Sequence, residues 1–471
     1  MQPASGAHAC WLKCVIIVFR RSSAAIATAA AGFDRYISTT GSDSNDGSFG
    51  SPWAISAIWT KAAEYKTKRL GVLPGIYSPY NGTIDALTND VALLIPSAAA
   101  GTGVARTVIQ SVTPRGAVIL GTGGGQGANS AAEVVVEVAA PYVTFDGFKV
   151  RDGGLKGVQI LASDAIVQSN EIYDINSVLF AESHGNGDNV SGVRTDTGSD
   201  RAAILNNKVY AIRNGTGAVS GGTRTPNESA IELYNAPNAV VQHNDVSDAA
   251  TLIYAKDDAD DCDIFLNNLH GTAYEAFRFA TNNTFAYKFH HNLVRGIVGM
   301  IYNGESNNVE VAYGEQYNNT YIFDVDIRGG VLYRATTGAV VKSYNNLCMR
   351  TTGSVLGTDS YRDMNGSAAA FSILDRNLYG SASQFTSPNG TLRTWAQWLA
   401  LMASNGATAR ETNSINADAT FAGGSGVEAY KLNPSSRGYQ EGRVGGIDAG
   451  EVCNMGVFES LGQTELPGTD W

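Results

Sequence analysis

One short phrase keeps returning along this chain. "IVQSNEIYDI", "AAILNNKVYAI", "VVQHNDVSDA", "IFLNNLHGT", "YKFHHNLVRGI", "EQYNNTYIF", "VKSYNNLCMR" and "ILDRNLYGS" each place a short alternating stretch, an Asn and a second alternating stretch in the same order. Counting on the Asn residues gives Asn170, Asn207, Asn244, Asn268, Asn292, Asn319, Asn346 and Asn377, at intervals of 37, 37, 24, 24, 27, 27 and 31. A unit of about 24 residues cannot bury an apolar face by itself and needs a stacked neighbour. Parallel coils wound into a solenoid supply one. Equivalent positions of successive coils then lie about 4.8 Å apart, so the Asn residues are expected to form a ladder, each tolerating the left-handed backbone of a turn and bonding through its amide to the rungs above and below.

At 471 residues the chain exceeds the usual size of one domain, but a solenoid lengthens its core without thickening it. With 53 Gly, 44% hydrophobic and only 16% charged residues, it is expected to be folded and rich in turns. The net charge of −11 argues against nucleic acid as a partner. Five scattered cysteines, Cys10, Cys14, Cys262, Cys348 and Cys453, show neither zinc spacing nor a disulfide framework and are expected as small buried residues. Residues 1–32 stand apart: "CVIIVF" is too short to span a bilayer, and Arg20 and Arg21 precede a small-residue run containing Ala27, Thr28 and Ala29. They are expected to serve export or attachment, and no membrane span is expected anywhere.

From here the sequence resembles the right-handed parallel β-helix proteins, the architecture of pectate-lyase-like enzymes and many phage tailspikes. "YISTTGSDSNDGSFGSPWAISAIWTKAAEYK" is similar to that superfamily's entry, a strand, a turn and an amphipathic capping helix; "GVLPGIYS" and "PYVTFDGFKVRDG" are similar to its first coils. "TLRTWAQWLALMA" carries Trp395, Trp398, Leu399 and Met402 at helical spacing, as a second cap would, and "EVCNMGVFES" resembles the closing strand. The expected fold class is all-β: a right-handed single-stranded parallel β-helix solenoid with short capping helices. The solenoid is assigned to residues 33–390, and the cap helix with a closing strand packed on it to 391–471.

The two 37-residue coils each carry about 13 extra residues, within "SVLFAESHGNGDNVSGVRTDTGSD" and "RNGTGAVSGGTRTPNE", at the same phase, so both are expected to wall one edge. Beside that edge run "GVQI", "GVRTD", "AIELY", "LIYAK", "AFRF" and "MIYN". With their apolar residues inward, the outward column reads Gln159, Arg194, Glu232, Tyr254, Arg278 and Tyr302, with Asp196, Tyr234 and Lys256 two residues along. Cleaving a 4-linked uronate chain by elimination needs a cation for the carboxylate, a base for the proton beside it and an acid for the leaving oxygen. Lys256, Arg278 and Tyr254 are the expected catalytic set; Arg194, Glu232, Tyr234, Tyr302, Asp196 and the loop residue His184 are the expected substrate-binding set.

"LIYAKDD" and "EAFRFA", with Lys256 and Arg278 22 residues apart, resemble alginate and chondroitin lyases of the parallel β-helix type, in which a Lys and an Arg one coil apart act together. That resemblance implies calcium held by acids before the Lys, where this chain offers only Asp248; the sequence itself requires no cofactor and no metal site is assigned. "KDDADDCD" reads as a solvated turn before it reads as a calcium loop. Asp196 and Glu232 keep a two-carboxylate hydrolase open as the rival enzyme. His243 and His291 are expected as surface turn residues. The partner is expected to be an acidic polysaccharide, and the setting extracellular or periplasmic for a monomeric secreted enzyme, or a virion surface for a trimeric, glycan-binding tailspike or adhesin.

Overall fold

The computed structural model describes residues 32–456 outside a set of internal segments, of which the longest are 122–131, 177–189 and 214–227. Residues 1–31, including Cys10 and Cys14, and most of both insertions therefore lie outside the described residues. Three long sheets of 12, 12 and 13 strands run the length of the molecule. One coil shows the plan: Glu228–Tyr234 lies in the 13-stranded site sheet, Val240–Gln242 in an entry sheet leading to the ladder, and Asp245–Ser247 in an exit sheet leaving it, before Thr251–Lys256 opens the next coil. Each strand pairs in parallel with its counterparts one coil away. This is the expected parallel β-helix solenoid.

The core is built from inward columns in register. Val158, Val193, Ile231, Ile253 and Phe277 line the site sheet, Val167, Ile204, Val241, Ile264 and Phe289 the entry sheet, and Ile172, Val209, Val246, Leu269 and Val294 the exit sheet. All are fully buried. β-branched and aromatic side chains suit such pleated, stacked surfaces, and each one buried contributes about 1.5–3 kcal/mol. Cys262 and Cys348 are buried free thiols whose pKa is pushed up by burial, in keeping with packing residues.

The ladder forms, with two corrections. It runs through Asn170, Asn207, Asn244, Asn267, Asn292, Asn319, Asn346 and Asn377, so Asn267 and not Asn268 is the rung. The exit-sheet register sets Asn268 opposite Asp245, whose Oδ1 accepts from Asn268 Nδ2 at 2.7 Å. The left-handed residue is also not the rung but the one before it: Ser169, Asn206, His243, Leu266, His291, Asn318, Asn345 and Arg376 all have φ between 52° and 57°. His243 and His291 hold turn positions as expected. From Asn207 onward each rung's Oδ1 accepts twice from the coil before, as when Asn244 Oδ1 takes the Asn207 backbone N–H at 2.9 Å and Asn207 Nδ2 at 3.1 Å. The second Nδ2 proton goes to a strand carbonyl, that of Val167 at 2.9 Å for Asn207. Phe148 N–H starts the series on Asn170 Oδ1, and Ser414 Oγ ends it by accepting from Asn377 N–H.

At the first end the expected capping helix is two single turns, Ala57–Thr60 and Ala62–Tyr65, broken where Lys61 leaves helical geometry at φ −119°. Ala57, Ile58, Ala62 and Tyr65 are buried against the first coils. At the other end Trp395–Ser404 buries Trp398 and Met402, and Trp398 stacks on Phe385 at 5.4 Å. The following segment returns along the outside of the exit sheet, where Val427, Leu432 and Met455 form a second small core with Leu293, Leu347 and Leu378. Val452–Cys453, expected to close the coil, pairs instead antiparallel with Gly442–Arg443 in a sheet of its own.

Asn267→Ala strands buried donors on Asn244 and should cost about 1–3 kcal/mol in chemical denaturation, whereas Asn268→Ala should cost clearly less; equal losses would refute the rung assignment. Glu411 is buried and accepts from the Tyr379 hydroxyl at 2.8 Å, and burial pushes its pKa up to about 7 against the bonds from Ser414 and Tyr379. The folded state thus holds this proton more tightly than the unfolded chain, whose value is near 4.5. The stabilisation is complete below that value and is lost as pH rises through about 7. Melting temperature should fall across this interval in the wild type and fall less in Glu411→Gln.

Candidate functional site

The site grows from the outer face of the site sheet. Gln159, Arg194, Glu232, Tyr254, Arg278 and Tyr302 are consecutive register partners, and Tyr234 partners Lys256. The column expected from the sequence therefore exists. Its strands carry a local departure: pairing skips Gly157, Gly192, Ala230, Leu252 and Ala276 in turn. A side chain on Gly157 would strike Ile172 and Ile175, and one on Gly192 would strike Val209 and Ile212, so these positions turn inward beside the apolar residue that follows.

The consequence is a second polar column on the outer face, Lys156, Ser191, Ser229, Thr251 and Glu275. Lys156 Nζ donates to Gln159 Oε1 at 3.3 Å and Ser191 Oγ to Glu232 Oε2 at 2.6 Å, which joins the two columns. Strict alternation missed these residues. The available signal was the repeated order polar, small or apolar, apolar, polar in "KGVQ", "SGVR", "SAIE", "TLIY" and "EAFR".

Arg194 organises one half of the face. Its Nε donates to Asp196 Oδ2 at 3.0 Å, its Nη1 to Glu232 Oε2 at 3.2 Å, and its guanidinium lies 4.5 Å from the centre of the Tyr234 ring. Burial opposes the charge on Arg194, but Glu232 and Asp196 outweigh it and raise the pKa. In the other half, Arg278 lies 4.6 Å from the Tyr254 ring centre, and Lys256 Nζ lies 5.8 Å from that of Tyr234 and 5.9 Å from that of Tyr254. Tyr234 has its phenol pKa raised by burial and then by Asp257. Among the described residues Lys256 has no carboxylate partner, and its ammonium lies beside the two aromatic rings.

Seven expected residues, Arg194, Asp196, Glu232, Tyr234, Tyr254, Lys256 and Arg278, thus share one face. The Tyr302 backbone continues the column by pairing with Arg278, and His184 lies outside the described residues. Exposure differs from the open column expected: Glu232 and Gln159 are 0% exposed and Tyr254 and Arg278 1%, while Lys256 and Tyr234 stay partly exposed. The "KDDADDCD" carboxylates disperse, Asp260 accepting from Ala286 N–H, Asp263 from His290 Nε2, and Asp257 standing beside Tyr234. Asp248 accepts from Ser247 Oγ at 3.3 Å. Among the described residues no group of three or more His, Cys, Asp or Glu is arranged to hold a metal, and no helix is long and apolar enough to cross a membrane.

No protein-family model matches the chain, and no curated protein matches it. Solved structures do. Pectate lyase Pel9A superposes with a TM-score of 0.58 at 14% identity, over 91% of this chain and 98% of its own. The Dettilon tailspike protein gives 0.39 at 15% identity, over 70% of this chain and 62% of its own, and an alginate lyase from Paenibacillus gives 0.31 at 19% identity, over 63% and 92%. The latter two superpose too loosely to bear on the site. The chain therefore shares the parallel β-helix fold of that pectate lyase.

Proposed function

We propose that this protein binds an acidic polysaccharide across the outer face of the site sheet and cleaves it by β-elimination. The observation that carries the reading is Lys256: a partly buried cation with no carboxylate partner among the described residues, between two tyrosines and one rung from Arg278. A half-buried ammonium without a counter-ion favours an anionic ligand, and a uronate supplies one. Arg278, 1% exposed, would act on the sugar carboxylate through its charge and not by contact, which makes the neighbouring C–H more acidic and lets Lys256 serve as the base; a tyrosine would protonate the leaving oxygen. The hydrolase alternative is weaker because Asp196 and Glu232 both accept from the one Arg194 guanidinium and Glu232 is fully buried.

The names of the structural neighbours, a pectate lyase, an alginate lyase and a tailspike, are compatible with a glycan substrate and with an extracellular or virion setting. Calcium enters the proposal only as an additive to test by chelation. On uronate polymers the wild type should release products with the ultraviolet absorbance of an unsaturated sugar, and Lys256→Ala should slow this by about 10²–10⁴-fold. Reducing ends without that absorbance would replace elimination by hydrolysis. Sizing of the full chain distinguishes the monomeric enzyme from the trimeric tailspike form.

A further inference from the structure

We infer that the elimination is syn, with Lys256 as base and Tyr234 as proton donor, and that the substrates are therefore 4-linked uronates whose O4 is equatorial, of the manno or gluco configuration. This rests on the elimination reading above and adds its stereochemistry.

Tyr234 and Lys256 are register partners on adjacent rungs, so they rise side by side from one face of one sheet. Their separation, 5.8 Å from Nζ to the ring centre, lets one sugar ring touch both. Of the two tyrosines near Lys256, Tyr254 is 1% exposed and has the Arg278 guanidinium across its ring, whereas Tyr234 is partly exposed. Tyr234 is also held in place. The Arg194 guanidinium packs on its ring, Asp196 and Glu232 hold that guanidinium, and its backbone N–H donates to Thr195 Oγ1 at 2.8 Å. Arg194 is thus a positioning residue for the donor.

A sugar lying on the sheet meets these two groups from the same side. The hydrogen that leaves C5 and the oxygen that leaves C4 must both face the sheet. In a uronate chair with an equatorial carboxylate, the C5 hydrogen is axial. An equatorial O4 lies on the same side as that hydrogen, whereas the axial O4 of galacturonate or guluronate points away from it. The step balances within the site. The Lys256 amine takes the C5 proton, the C5–H pair becomes the C4=C5 double bond, and the C4–O4 bond breaks with its pair on O4, which takes the Tyr234 proton. The ammonium then returns its proton to the adjacent phenolate, directly or through water.

The test compares the full-length wild type on polymannuronate and a 4-linked glucuronan with polygalacturonate and polyguluronate, reading initial rates of unsaturated product. For the axial substrates the donor's contribution is lost, so the equatorial pair should be favoured by about 10²-fold or more. Equal or faster cleavage of galacturonate or guluronate chains would overturn the syn assignment while leaving elimination intact. No unsaturated product from any polymer would instead overturn the elimination reading itself. On polymannuronate, Tyr234→Phe should lower kcat by about 10²–10⁴-fold with little change in KM and an unaltered melting temperature, and Tyr254→Phe should lower it less. A Tyr234→Phe enzyme with wild-type kcat would remove Tyr234 as the donor.

Discussion

An amide that both gives and accepts hydrogen bonds along the coil axis holds this molecule in register. Between the two end rungs no ladder Asn leaves a side-chain polar atom idle: Oδ1 takes two donors from the coil before, and Nδ2 serves the next rung and a strand carbonyl. Buried polar groups of this kind are strongly discriminating, because a one-residue slip would leave several of them without partners at once. Insertions of any length can then leave a coil without disturbing the stack, provided the chain returns to the same rung. The 37-residue and 23-residue intervals coexist in one ladder for this reason.

Register in the ladder is also what assembles the site. Arg194, Glu232, Tyr254 and Arg278 come from four coils and meet only because their strands are stacked without offset. The resulting face is costly by stability criteria. Arg194, Asp196 and Glu232 are charged and buried, and such groups recover their desolvation only through near-complete pairing. A surface serving solubility alone would leave them in water. Their concentration on one sheet, while the exit sheet carries less buried pairs such as Lys149 with Glu171, separates a working face from a supporting one.

Much of this was legible in the sequence, and the failures have physical causes. Periodicity exposed the coil, and the apolar positions of "AIELY" and "LIYAK" sufficed to align Glu232 with Tyr254 and Tyr234 with Lys256. The ladder miscounted at "IFLNN" because two adjacent Asn residues look alike in text, and only the left-handed backbone at Leu266 decides between them. Strict alternation could not reveal that site strands turn two successive residues inward, so the column from Lys156 to Glu275 went unseen. Burial of Arg278 and Tyr254 was equally hidden, since it depends on what lies over a strand and not on the strand's own pattern. The break at Lys61 and the separate pairing of Val452–Cys453 follow from tertiary context that local propensity does not encode.

The site sheet ends the same way at both extremities. Its outermost strands, Thr83–Ile84 and Leu392–Arg393, are only two residues long and run antiparallel to their neighbours. A parallel stack has no inherent reason to stop, since the last strand offers the same unpaired backbone that recruited the one before it, and identical molecules could add end to end into a fibril. A reversed stub breaks that template: its hydrogen-bonding pattern no longer matches the start of another copy. Along this sheet the stack is thereby closed at both ends, and its length is set by the chain itself.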